Sequence, residues 1–301
     1  MLSRRNKFIV LKFLSLFSVV RGYNVLVIVI AQYLASIYIL APDFPVKKVI
    51  FDLDLFAIVA ASSLAIASGY IINSFYDAEK DLINRPAKTM LDRLVSQNTK
   101  LSAYFVLNFL SVIFASYVSF RAVLFFSSYI FLIWLYSHKL KKLPFLGNLT
   151  SALLAIAPFF AVFIYYKNFE TVIFVHATFL FLLISIRELI KDLENLKGDL
   201  VHDYKTIPVI YGEKTSKLFI TALVLLTFIP TYLLIYFFET GYMNYYFYTS
   251  GILLLLSLIL LWRSSERLYY IILHNVLKII IVSGVFSILL IDVKLVLNRI
   301  L

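Results

Sequence analysis

The sequence has no cysteine among its 301 residues, which excludes disulfides, thiolate metal sites and cysteine nucleophiles. Charge is scarce as well: 15% of residues are Asp, Glu, Lys or Arg, against about 25% in soluble domains. The four histidines, at 138, 176, 202 and 274, lie too far apart in sequence to show the paired spacing of a zinc site. No low-complexity tract, long linker or polar domain interrupts the chain. What fills it is apolar: 62% of residues are hydrophobic and 17% aromatic, with a mean hydropathy of +0.91. A water-soluble fold of this length cannot hide so much apolar surface, so the chain reads as all-α and polytopic in a membrane.

Apolar runs able to cross roughly 30 Å of hydrocarbon at about 1.5 Å per residue fall near residues 24–42, 55–76, 101–119, 121–137, 149–166, 171–189, 217–237, 246–262 and 273–293. Turn residues separate them: Pro42 and Pro45, Pro86, Pro144 with Gly147, Pro208 with Gly212, and Gly241. About nine transmembrane helices in a single integral-membrane domain over residues 1–301 are therefore expected. The net charge of +11 is read as topology rather than as a nucleic-acid surface. Under this span count 21 basic residues collect on one side and six on the other, with Lys278 alone inside a span. That segregation predicts a cytoplasmic N-terminus and an outside C-terminus. A basic start before residues 8–20 mimics a signal peptide but lacks a small-residue cleavage site, so an uncleaved amphipathic lead-in is expected. No organelle-targeting segment is visible, which points to a plasma (inner) membrane.

Two polar clusters stand at span ends on the same predicted side. In IINSFYDAEKD, Asn73, Asp77 and Asp81 recur at i, i+4 and i+8, one short helical stripe. In IRELIKDLENLKGD, Glu188, Asp192, Asn195 and Asp199 share a face, with Gly198 as the expected helix break. Glu194, Lys191 and Lys197 fall elsewhere on the wheel and read as solvated surface. Four carboxylates, Asp77, Asp81, Asp192 and Asp199, meeting in one cavity would carry about −4 and repel one another unless cations intervene. Oxygen-only ligation suits Mg²⁺, expected as two ions, and Mg²⁺ keeps positions for phosphate oxygens. A diphosphate is then the natural ligand, and Arg85, Lys88, Lys139, Lys141, Lys142 and Lys205 are the cations available to it.

These motifs, in order GYIINSFYDAEKDLINRP at 69–86, YSHKLKKLPFLGN at 136–148, and IRELIKDLENLKGD followed by KTIPVIYG at 186–212, resemble the UbiA superfamily of intramembrane prenyltransferases. The resemblance implies a helical bundle with a central cavity, cap loops over it, and two aspartate-rich motifs that bind an isoprenyl diphosphate through Mg²⁺. It implies catalytic roles for Asp77, Asp81, Asp192 and Asp199, metal ligation by these four with Asn73, and substrate contacts by Asn24 (in RGYN), Asn73, Arg85, Lys88, Tyr136, Lys139, Asn148, Glu188, Asn195 and Lys278. Ser74, Gly22, Asn195 and Asp203 depart from the family pattern, in which aspartate, proline, aspartate and glycine are usual. Asn195 can ligate through its carbonyl oxygen but brings no charge.

The implied chemistry is isoprenyl transfer with loss of diphosphate to a lipophilic acceptor. The motif RELIKDLENLKGD is closest to the branch whose acceptor is geranylgeranylglyceryl phosphate, and prenylation of an aromatic ring (a quinone, tocopherol or haem O precursor) is the alternative. Outside enzymes, a non-catalytic membrane protein or an ion-coupled transporter is the competing class, but a transporter's ion sites belong near the bilayer midplane with broken helices in paired halves, a pattern not seen here.

Overall fold

A computed structural model describes residues 14–263 and 265–293. Residues 8–13 of the expected lead-in lie outside these, as do the basic residues Arg4, Arg5, Lys7, Lys12, Lys294 and Arg299. The described residues form α1 (Gly22–Ala35), α2 (Val46–Ile50), α3 (Leu53–Tyr76), α4 (Ala78–Asn84), α5 (Pro86–Asp92), α6 (Gln97–Val118), α7 (Phe120–His138), α8 (Leu146–Tyr166), α9 (Thr171–Glu194), α10 (Leu196–Val201), α11 (Ile207–Phe237), α12 (Asn244–Arg263) and α13 (Arg267–Ser287). Nine helical segments among the described residues are long and apolar enough to cross a membrane, matching the expected number.

The ends differ from the hydropathy reading because helices run on past their last apolar residue. The sixth span continues to Glu194, and the seventh begins at Ile207 rather than near 217, with a break at Gly212 (φ 82°, ψ 167°). A helix needs backbone hydrogen bonds, not apolar side chains, so charged turns extend it into the interface.

The core is split. One cluster gathers buried residues from α3, α6, α7 and α8 around Leu55, Ile71 and Phe126. The other joins α9, α11, α12 and α13 around Leu183, Phe247 and Leu277. Each half contains a 24-residue helix, α3 or α9, that ends one residue before a short helix carrying acids. The linking residues have nearly the same backbone: Asp77 at φ −92°, ψ 3° and Asn195 at φ −97°, ψ 4°. The expected break at Gly198 is thus displaced to Asn195. Gly198 instead lies inside α10, where its missing side chain lets the backbone approach Asn84, whose Oδ1 accepts from the Gly198 N–H at 3.2 Å.

Candidate active site

The short helices α4 and α10 are the two arms of the site, and the Asn84–Gly198 contact holds them against each other. On the first arm Asp77 is buried at the turn between α3 and α4. Its Oδ2 accepts from Asn73 Nδ2 at 2.9 Å. Its Oδ1 accepts from Lys141 Nζ at 2.7 Å and Tyr204 Oη at 3.0 Å. Lys141 also reaches Asn73 Oδ1 at 3.3 Å. On the second arm Asp199 is buried, with Oδ2 bonded to Thr206 at 3.3 Å. Lys80 joins the arms, its ammonium 3.2 Å from Asp199 and 3.7 Å from Asp77, over the Tyr204 ring at 4.2 Å.

This pairing sets the electrostatics. Burial alone would push the Asp77 carboxyl up, but Lys141 and Lys80 overcome it and hold it well below the usual carboxylate range. The Asp81 side chain has no hydrogen bond or ion pair among the described residues, and burial, together with Asp77, pushes its carboxyl up. Burial also outweighs Lys80 at Asp199 and raises it. Lys80 itself is raised, because Asp77 and Asp199 outweigh the cost of its burial. Burial and Asp77 raise Tyr204, which stays a phenol donor.

The expected crowd of four carboxylates is therefore replaced by acids interleaved with lysines. Among the described residues no three carboxylate or imidazole groups come together as a metal-binding set. The donors present still suit a hard cation: all are oxygens, Asp81 is unpaired, and Asn195 Oδ1 is buried without a hydrogen-bond partner. Asp192 accepts from Asn148 Nδ2 at 2.8 Å, which brings two sequence-selected residues together.

Other selected residues are placed differently. Both oxygens of Glu188 are taken, by Arg187 and Lys191 at 2.7 Å each. Lys88 pairs with Asp92 at 3.1 Å on α5. Lys139 is exposed, and it is Lys141, two residues on, that reaches Asp77. Tyr136 is half-buried on α7. Asn24 donates to Tyr70 Oη at 3.3 Å, beside the Arg21 guanidinium, which lies 4.9 Å from the same ring. Arg85 pairs with Glu194 at 3.2 Å.

Glu194 corrects the sequence reading. It is buried rather than solvated, and holds Arg85 and, at 2.5 Å, His274 Nδ1. Lys191 is likewise engaged with Glu188. Sequence reasoning also passed over Lys80 and Tyr204; Lys80 stands at i+3 from Asp77, and Tyr204 lies in the segment between the second acid motif and the KTIP run. Asp203, where the family favours glycine, adopts φ 55°. That left-handed conformation explains the glycine preference, and aspartate is among the residues that tolerate it.

Below the arms an apolar cavity of about 140 Å³ is lined by Ala31, Ile156, Phe160, Phe179, Leu183 and Ile281, among others. A charged end over an apolar interior suits an amphiphile with an anionic head, which defines the class as a membrane-embedded enzyme of lipid-like substrates. The chain belongs to the UbiA prenyltransferase family, which residues 29–269 match.

It is 28% identical over 219 residues to the digeranylgeranylglyceryl phosphate synthase of Methanobrevibacter smithii, covering 69% of this chain and 73% of that one. A solved structure concerning digeranylgeranylglyceryl phosphate synthase in membranes shares the fold with a TM-score of 0.68 and 23% identity, over 92% of this chain and 97% of that one. So does a UbiA homologue from Archaeoglobus fulgidus bound to GPP and Mg²⁺, at a TM-score of 0.66 and 14% identity, over 91% and 99%.

Proposed function

We propose that this prenyltransferase moves a geranylgeranyl group from its diphosphate to the free hydroxyl of geranylgeranylglyceryl phosphate. The carbon–oxygen bond to diphosphate breaks with its electron pair leaving on the diphosphate. An ether bond forms, and the hydroxyl proton is released. The observation that carries the reading is the Lys141–Asp77–Lys80–Asp199 chain between two arms, above an apolar cavity, in a chain resembling synthases of that class.

Asn73, Asp77 and Asp81 on one arm, and Asp192, Asn195 and Asp199 on the other, would hold Mg²⁺, as two ions, which when bound offsets the charge of the leaving diphosphate. Lys80 and Lys141 already stand at these carboxylates and turn their remaining N–H groups to diphosphate oxygens. The Tyr204 phenol donates beside them. The apolar cavity takes isoprenyl chain and keeps water from the allylic carbon, which would otherwise end as an alcohol. The arms face the cytoplasm of a plasma membrane and the C-terminus lies outside; reporter fusions in the loops before α6 and α11 are expected on the same face.

The direct test uses membranes with radiolabelled geranylgeranyl diphosphate and Mg²⁺, offered geranylgeranylglyceryl phosphate or 4-hydroxybenzoate. A labelled ether lipid, lost in Asp77→Asn and Asp199→Asn, supports the proposal. A labelled ring in place of the ether lipid would refute it in favour of an aromatic acceptor.

A further inference from the structure

A second group of cations lies apart from the lysines that serve Asp77 and Asp199. Lys278 sits eleven residues into α13, about 16 Å along the helix at 1.5 Å per residue. The start of α13 is at the arm end, since Arg267 donates to the carbonyl oxygens of Asn84 and Glu194. The lysine is therefore deep in the span, yet its side chain is exposed and has no hydrogen bond or ion pair among the described residues. It does not face lipid alone: Arg187 and Glu194 on α9, Arg85 between α4 and α5, and Arg21 before α1 are its charged neighbours. An ammonium at such depth is costly without a counter-charge or water-filled space.

The carboxylates nearby do not supply that counter-charge. Glu194 already holds Arg85 and His274, and Glu188 already holds Arg187 and Lys191. Arg187 keeps an unused donor, because its Nε is buried without a hydrogen-bond partner. Arg21 faces the Tyr70 ring rather than an acid. The apolar cavity begins one turn away from two of these cations: Leu183 precedes Arg187 by four residues, and Ile281 follows Lys278 by three. An anionic head held at Lys278 and Arg187 would lead its hydrocarbon tail directly into that cavity.

We propose that Arg187 and Lys278, with Arg21 and Arg85, form a second anion subsite that takes the phosphate of a phosphorylated isoprenyl glycerol acceptor, separate from the diphosphate site at Asp77 and Asp199. The subsite rests on the functional reading above, and it answers a need of that reading: two anionic substrates occupy one cavity, and each head requires its own positive charge. Three guanidinium groups and an ammonium suit a phosphomonoester, which offers three terminal oxygens.

The test compares geranylgeranylglyceryl phosphate with phosphate-free geranylgeranylglycerol on the full chain in nanodiscs, by equilibrium binding and by KM. The native protein is expected to favour the phosphorylated ligand, and Lys278→Met and Arg187→Gln to weaken its binding at least tenfold. Binding of geranylgeranyl diphosphate should stay within twofold, and Lys278→Arg should restore the phosphate preference. An equal loss of diphosphate binding overturns the separate subsite, as does an unchanged phosphate preference in both variants. If the native protein binds the phosphorylated ether through Lys278 but forms no product, the subsite stands and the functional reading falls. If product forms while the variants bind the phosphate as well as the native protein, the reading stands and the subsite falls.

Discussion

Replacing Lys141 by methionine removes the closest cation from a buried carboxylate. The pair is 2.7 Å apart, and both residues are under a tenth exposed. At an effective dielectric constant of about 20, that separation corresponds to about 6 kcal/mol of attraction. The loss is smaller than this, because the ammonium's own desolvation cost disappears with it. Asp77 also keeps Tyr204 and Asn73 as donors, with Lys80 at 3.7 Å. The expected net destabilisation is about 3 kcal/mol, the lower end of what breaking a buried pair costs. Asp77→Asn alone strands the ammonium and should cost a similar amount, whereas the double variant leaves neither charge behind. Reversible unfolding in mixed micelles, followed by tryptophan fluorescence or circular dichroism, would measure all four proteins at pH 7. A coupling energy of at least about 2 kcal/mol is expected; additivity within about 0.5 kcal/mol would refute the ion pair as a structural element.

Other outcomes follow from the same geometry. Because the Asp77 carboxyl is depressed in the fold, its contribution is present above the ordinary carboxylate range and is lost as pH falls through that range and below it; Asp77→Asn should flatten the acid limb of a stability–pH curve. Asp81 and Asp199 are raised and act oppositely, so their amides should remove a loss of stability that sets in as pH rises past about 4. Gly198→Ala places a methyl against the Asn84 carboxamide and should cost about 1–3 kcal/mol by thermal unfolding, with an unchanged melting temperature counting against the contact. Glu194→Gln uncovers Arg85 and His274 together and should destabilise by about 3 kcal/mol, more than Glu79→Gln on the exposed face of α4. Removal of Mg²⁺ with EDTA should abolish transfer while leaving the helical circular dichroism intact.

The span number was legible because each apolar run is bounded by turn residues and by segregated basic charge. The helix ends were not, since hydropathy stops at the first charged residue whereas α9 carries Glu188, Lys191, Asp192 and Glu194 within its backbone ladder. In the site, Asp77 and Asp199 stood out through their spacing from other acids at span ends. Their lysines did not. Lys80 reads as a loop charge, and Lys141 as one of several basic residues offered to the diphosphate, because a sequence shows which side a cation occupies but not which carboxylate it meets. Glu194 and His274 are 80 residues apart, and nothing local to either marks the partner. The wheel that placed Glu194 outside assumed one straight helix in solvent; the actual neighbours are Arg85 on the first arm and His274 on α13.

Arg267 gives the bundle a mechanical property that its pairwise contacts do not show singly. Helices end with carbonyl groups that lack backbone donors and carry partial negative charge. One guanidinium serves two such ends, donating through Nη2 to Asn84 O at 2.5 Å and through Nε to Glu194 O at 3.1 Å. The spacing between the arms is thereby tied to the first residue of the last membrane helix. A displacement of Arg267 would act on both acid-bearing segments at once, through Asn84, 183 residues away along the chain, and Glu194, 73 residues away.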